Sequence, residues 1–136
     1  MAKVLGIDYG EKRVGVAISD SLQIIASSLT TIETKQFFLF LIELLQKEDI
    51  DRFVVGEPKN LDGTATDSTE MTEKFIEKLS IKYPNIPIKR IDERFTSKIA
   101  KQIILDAGTK KSKRRDKALV DKVSAAIILQ SHLDSK

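Results

Sequence analysis

Two runs rich in β-branched and apolar residues, Val4-Leu5-Gly6-Ile7-Asp8-Tyr9 and Arg13-Val14-Gly15-Val16-Ala17-Ile18, are parted only by Gly10-Glu11-Lys12. So short a connection joins strands as an antiparallel hairpin, because a parallel pair needs a crossover of about a dozen residues or more. A third strand is expected over residues 26–32. The pattern then changes to helices alternating with strands. Residues 34–47 read as a helix with Thr34 as its N-cap. Phe37, Phe38, Leu41, Ile42 and Leu45 recur there at helical spacing, which makes them core residues rather than a binding platform. Residues 52–56 form an apolar strand that must stop at Pro58. A helix follows, opened by a capping-box pair, Asp67 and Glu70, and carrying Met71, Phe75 and Leu79 at i, i+4 and i+8. A strand is expected over 86–91 and a helix over 97–107, closed by Gly108. An amphipathic helix over 118–133 ends the chain.

Three antiparallel strands followed by βαβ crossovers give an α/β fold: a mixed five-stranded sheet flanked by helices on both faces. That order resembles ribonuclease H-like folds. A length of 136 residues suits a single domain over 1–136, large enough to bury a core without a disulfide or structural metal. There is no Cys and one His, His132. This excludes disulfide scaffolds, thiolate metal sites, Cys nucleophiles and His-rich metal centres. The longest apolar run, residues 37–42, falls far short of the ~20 residues of a membrane span, and nothing at the start reads as a signal peptide. A cytoplasmic protein with no membrane partner is the expectation.

The formal charge of +3 conceals two opposed regions. Residues 110–117 hold Lys110, Lys111, Lys113, Arg114, Arg115 and Lys117 against Asp116, so the rest of the chain sums to −2. A basic cluster of this density attracts a phosphate backbone by counterion release. A solvated Lys-rich loop is the plainer reading of the same residues. Within the acidic remainder, Asp8 closes the first strand, Glu93 closes the last with Asp92 beside it, and Asp121 sits in the first turns of the last helix. Each has an ordinary structural role available: a turn former, a surface ion pair, a helix-dipole carboxylate. Their joint placement at element ends points instead to one acidic site. Converging carboxylates repel, and oxygen ligation of Mg²⁺ or Mn²⁺ relieves the repulsion when Cys is absent and His nearly so. Two such ions about 4 Å apart can clamp the attacking and leaving oxygens of a phosphodiester displacement. Glu57, at the end of the fourth strand, is a further candidate ligand. Of Asp92 and Glu93, adjacent on a strand, one faces the site. Thr96 and Ser97 read as helix caps, and His132, about three turns from Asp121, reads as structural or exposed.

Four ordered blocks carry a specific resemblance: Gly6-Ile7-Asp8-Tyr9-Gly10 with Arg13-Val14-Gly15-Val16-Ala17; Val54-Val55-Gly56-Glu57-Pro58 with Asn60-Leu61-Asp62-Gly63; Asp92-Glu93-Arg94-Phe95-Thr96; and Val120-Asp121 with Ala125-Ala126-Ile127-Ile128-Leu129-Gln130. The chain resembles the YqgF/RuvX family of pre-16S rRNA nucleases, also described as Holliday-junction-resolvase-like, over essentially its whole length. The resemblance implies a ribonuclease H-like metal-dependent nuclease that processes the 5′ end of 16S ribosomal RNA. It places the acidic positions on Asp8, Glu93 and Asp121, as catalytic residues and metal ligands for Mg²⁺ or Mn²⁺, with two ions. Arg94 is the candidate for steadying the scissile phosphate, and the 110–117 cluster for holding the nucleic acid. Glu57 departs from the family, which usually has an apolar residue there. Two alternatives stay open: a resolvase of branched DNA, and a nucleic-acid-binding module without catalysis. The oligomeric expectation is a monomer or weak homodimer.

Overall fold

The structure, a computed structural model, describes residues 2–57, 67–92 and 117–135; for 67–69, 92 and 117–123 it describes the backbone alone. Five strands, β1 (Lys3–Tyr9), β2 (Arg13–Ser19), β3 (Ala26–Glu33), β4 (Ile50–Glu57) and β5 (Ile88–Asp92), form one sheet in the order β3-β2-β1-β4-β5. The first three are antiparallel, and β4 and β5 run parallel to β1, as the sequence pattern predicts. The described helices are α1 (Phe37–Lys47), α2 (Asp67–Lys82) and α3 (Lys117–Asp134). The helix expected over 97–107 and the caps at Thr96 and Ser97 lie outside the described residues, and so does the Asp67 side chain of the expected capping box.

Strand alternation splits the sheet into two unlike faces. Leu5, Ile7, Val14, Val16, Phe53 and Val55 pack against Phe37 and Leu41 of α1 and Phe75, Ile76 and Leu79 of α2. Tyr9 stacks on Phe75 with ring centroids 4.4 Å apart, and Phe37 meets Phe75 edge-on at 5.3 Å. The opposite face is built from smaller residues. Val4, Ala17 and Val54 pack there against Ala125, Ile128, Leu129 and Leu133 of α3.

Two local expectations are corrected. Thr34 does not cap a long helix: a 3-10 turn, Thr34–Gln36, precedes α1. The Thr34 hydroxyl instead donates to the Gly10 carbonyl at 2.6 Å, while its N–H bonds Lys12 O at 3.0 Å. Those two bonds tie the β1–β2 turn to the β3–α1 junction. Ile42 is 47 % exposed rather than core, because α1 presents Phe37, Phe38, Leu41, Leu44 and Leu45 to the sheet.

α3 lies unusually close to β1. A Cβ built on Gly6 would meet Leu129 Cβ at 2.7 Å and the Ala125 carbonyl at 3.1 Å. Only a glycine admits the helix at this distance. Gly6→Ala should therefore destabilise the protein by about 1–3 kcal/mol in urea unfolding, with Leu129 and Ala125 displaced; unchanged stability would show that α3 does not need this contact.

The β2–β3 loop is held by Asp20, whose carboxylate accepts from the N–H groups of Ile24 at 2.8 Å, Ile25 at 2.9 Å and Leu22 at 3.2 Å. These bonds, Ile25's first and Ile24's second, hold its pKa below the usual carboxylate value. The loop's order is then fully present above the ordinary carboxylate range and lost as pH falls through the depressed value. Amide-exchange protection at Ile24 and Ile25 should fall with that titration and should be low at every pH in Asp20→Ala.

Candidate active site

Asp8 is the penultimate residue of β1, the central strand, and is half-buried. It shares the α3 face with Val4 and Gly6, since Leu5, Ile7 and Tyr9 belong to the opposite core. Its partner across the hairpin is Gly15. On the other side, Val55 pairs with Ile7 and is followed by Gly56. Asp8 thus has a glycine beside it on both neighbouring strands, and no Cβ crowds its carboxylate from either. Glycine inside a strand weakens it and often marks close approach of a ligand or another backbone. Gly15 and Gly56 carry that signal in the sequence itself.

Three contacts fix the direction of α3. His132, one turn from its end, places Nε2 3.0 Å from an Arg52 guanidinium nitrogen at the start of β4. Gln130 accepts from Ala26 N at 2.8 Å and donates to Ile24 O at 2.9 Å, at the start of β3. Ala125 and Leu129 lie over Gly6 in mid-β1. The helix therefore runs against β1 and β4, and its N-terminal turns extend toward the end of the sheet that carries Asp8, Glu57 and Asp92. From the Gly6–Ala125 crossing, Asp8 is two strand residues on, about 7 Å. Asp121 is one helical turn back in the same direction, about 6 Å. The backbone thus carries both positions from one crossing point toward the same sheet edge.

Other sequence-predicted residues separate clearly. Glu57 is on the α1–α2 side of β4, with Phe53 and Val55, and so faces away from Asp8. It sits 3.8 Å from Arg90, which also pairs with Glu73 of α2. Its candidacy as a ligand beside Asp8 is corrected by the two-residue period of the strand. Asp92 is opposite Glu57 in the β4–β5 register. His132 is buried, and because a guanidinium only donates, its Nε2 accepts, which confirms a structural role. Glu93, Arg94 and residues 110–116 lie outside the described residues, as do the side chains of Lys117 and Asp121. Among the described residues, no three His, Asp or Glu side chains gather as a metal site. No described helix is long and apolar enough to cross a membrane.

Comparison with known proteins agrees with the fold and specifies the family. A family model described as "RuvX: Holliday junction resolvase" matches residues 2–135. A protein of Christiangramia forsetii named "Putative pre-16S rRNA nuclease" is 50% identical over 133 residues, covering 98% of each chain. One of Flavobacterium psychrophilum with the same name is 48% identical over 136 residues, covering 100% of this chain and 99% of that one. Among solved structures, T. thermophilus RuvC in complex with a Holliday junction substrate superposes with a TM-score of 0.59 at 16% identity, covering 99% of this chain and 95% of that one. The yeast mitochondrial Holliday junction resolvase Ydc2 gives 0.55 at 13% identity, covering 98% and 81%. These two share the ribonuclease H-like fold. With the family model spanning nearly every residue and relatives near half-identical along their whole length, the chain belongs to the RuvX family.

Proposed function

We propose that the protein is a divalent-metal-dependent endonuclease of the cytoplasm that hydrolyses phosphodiester bonds in ribosomal RNA precursor, at the 5′ side of 16S rRNA. The observation that carries this reading is the position of Asp8: a half-buried carboxylate at the end of the central strand, between Gly15 and the position of Gly56, with the N-terminal turns of α3 extending toward it. The relatives' shared name supports the RNA substrate. The family description favours a second reading, branched DNA, which presents the same phosphates to the same carboxylates.

The donor set fits Mg²⁺ or Mn²⁺. The chain has no thiolate, and its single imidazole is bound to Arg52 at the far end of α3, which leaves hard oxygen ligands. Asp8, Glu93 and Asp121 would hold the ions, two in this reading. Bound ions would neutralise charge on the phosphodiester and acidify the attacking water. Asp8 would be the most central of the three ligands. Arg94 would steady the scissile phosphate. Lys110, Lys111, Lys113, Arg114, Arg115 and Lys117 would hold the nucleic-acid backbone without reading its sequence. A single domain acting as a monomer or weak homodimer completes the proposal.

Asp8→Asn should lower Mn²⁺-supported cleavage of a 16S precursor fragment by about 100-fold or more while leaving the melting temperature near wild type. Undiminished cleavage by the pure variant would refute the assignment. A four-way DNA junction offered in competition at fixed salt separates the two substrates. Glu57→Gln should change cleavage by no more than about twofold and stability by about 0–1 kcal/mol, because its ion pair with Arg90 lies on the other face. A large loss of activity in this variant would contradict the facing of β4.

A further inference from the structure

We propose that Arg13 grips a backbone phosphate of the nucleic acid beside the one cut at Asp8, an inference that rests on the nuclease reading. Arg13 opens β2, where Val14, Val16 and Ile18 turn to the α1–α2 core and Ala17 turns to α3. Alternation puts Arg13 and Gly15 on the Ala17 side, which is the side of Asp8. Gly15 is the residue paired with Asp8, so Arg13 is the diagonal neighbour of Asp8, about 7–8 Å away across the hairpin. The residue that would stand between them on β2 is a glycine, so no β-carbon of that strand separates guanidinium from carboxylate.

The backbone under Arg13 is tightly held. A Cβ on Gly10 would strike the Arg13 carbonyl at 2.5 Å, so the turn closes directly onto this residue. The Thr34 bonds to Gly10 O and Lys12 O anchor the same turn from outside. Arg13 also lines a cleft of about 460 Å³ with Lys12, Lys35, Thr34, Glu11 and Glu33. Lys12 is exposed, and Lys35 is 3.8 Å from Glu33 with its side chain 83 % exposed. Three cations against two carboxylates give the cleft a net positive lining. A planar guanidinium carried on this tightly held backbone suits two non-bridging phosphate oxygens at once, which a lysine cannot match.

Binding of the intact protein to a fluorescein-labelled RNA hairpin with a single-stranded 5′ tail, in EDTA so that nothing is cut, tests the proposal across a salt series. Arg13→Gln should bind about tenfold more weakly than wild type, and its log K against log salt slope should be shallower by about 0.7–0.9, one phosphate contact. Arg13→Lys should keep the slope but cleave the same RNA about tenfold more slowly once Mn²⁺ is added. Lys74→Gln, exposed on α2 across the sheet, should match wild type. Equal affinity and slope in folded Arg13→Gln would overturn the proposal and leave the nuclease reading intact. That is also the outcome if Arg13 only neutralises Asp8. A wild type that neither binds nor cuts RNA or junction DNA would overturn both. If Arg13→Gln fails to fold, phenylglyoxal footprinting of the wild type decides: RNA should shield Arg13 from modification, and an unshielded Arg13 overturns the proposal.

Discussion

The contact between Gly6 and the backbone of α3 is what the rest of the site depends on. A single missing β-carbon lets the Ala125 and Leu129 turns settle onto the central strand, with a would-be Cβ only 2.7 Å from Leu129. Burial of Ile128 and Leu129 there, worth roughly 1.5–3 kcal/mol per side chain, holds the helix down. Gln130 and His132 then fix its direction by bonding to the starts of β3 and β4. With crossing point and direction both set, the backbone position of Asp121 follows from that of Asp8. The same glycine that allows close packing therefore sets the distance on which metal chemistry would depend.

The sheet divides labour between its faces. One face carries the aromatic cluster of Tyr9, Phe37, Phe38 and Phe75 and most of the apolar burial. Charge at its edge is shared by Arg90, which pairs with both Glu57 and Glu73. The other face is thin, with Ala17, Gly6, Gly15 and Gly56 at or beside its centre, and it bears Asp8 and Arg13. Small residues cost packing energy there but clear room beside a carboxylate. A charge on the first face is absorbed by a neighbour two strands' width from the chemistry. On the second face, Asp8 and Arg13 are the charges that the proposed nuclease would turn toward a phosphate.

Much of this was legible in the residues. The three-residue turn between two β-branched runs dictated the hairpin, and the later alternation of 3.6- and 2-residue periods dictated the crossovers, while the spatial order of the strands came only with the structure. Asp8 was legible because it lies at the end of a strand, one residue before β1 stops. Glu57 was harder, because an acidic residue at a strand end reads alike on either face until the register of β4 against β1 is known; its neighbours Phe53 and Val55 then turn it away. Ile42 failed for a related reason: α1 is apolar nearly all round, so its sequence does not say which stripe meets the sheet. Thr34 has the chemistry of a cap, yet its hydroxyl is taken by Gly10 O, a partner 24 residues away that no local pattern reveals. Arg13 carries no local signal of its own, and only the pairing of Gly15 with Asp8 shows what it stands beside.

The proposed metal site requires Asp8, Glu93 and Asp121 to converge where α3 meets the central strand. An anomalous-difference map from a crystal soaked in Mn²⁺ tests it most directly. One or two peaks should lie within coordination distance, about 2.0–2.2 Å, of Asp8 carboxylate oxygens and be shared with Glu93 and Asp121. A Mn²⁺ peak bound elsewhere, with Asp8 unligated in a crystal of protein that cleaves precursor RNA, would contradict it.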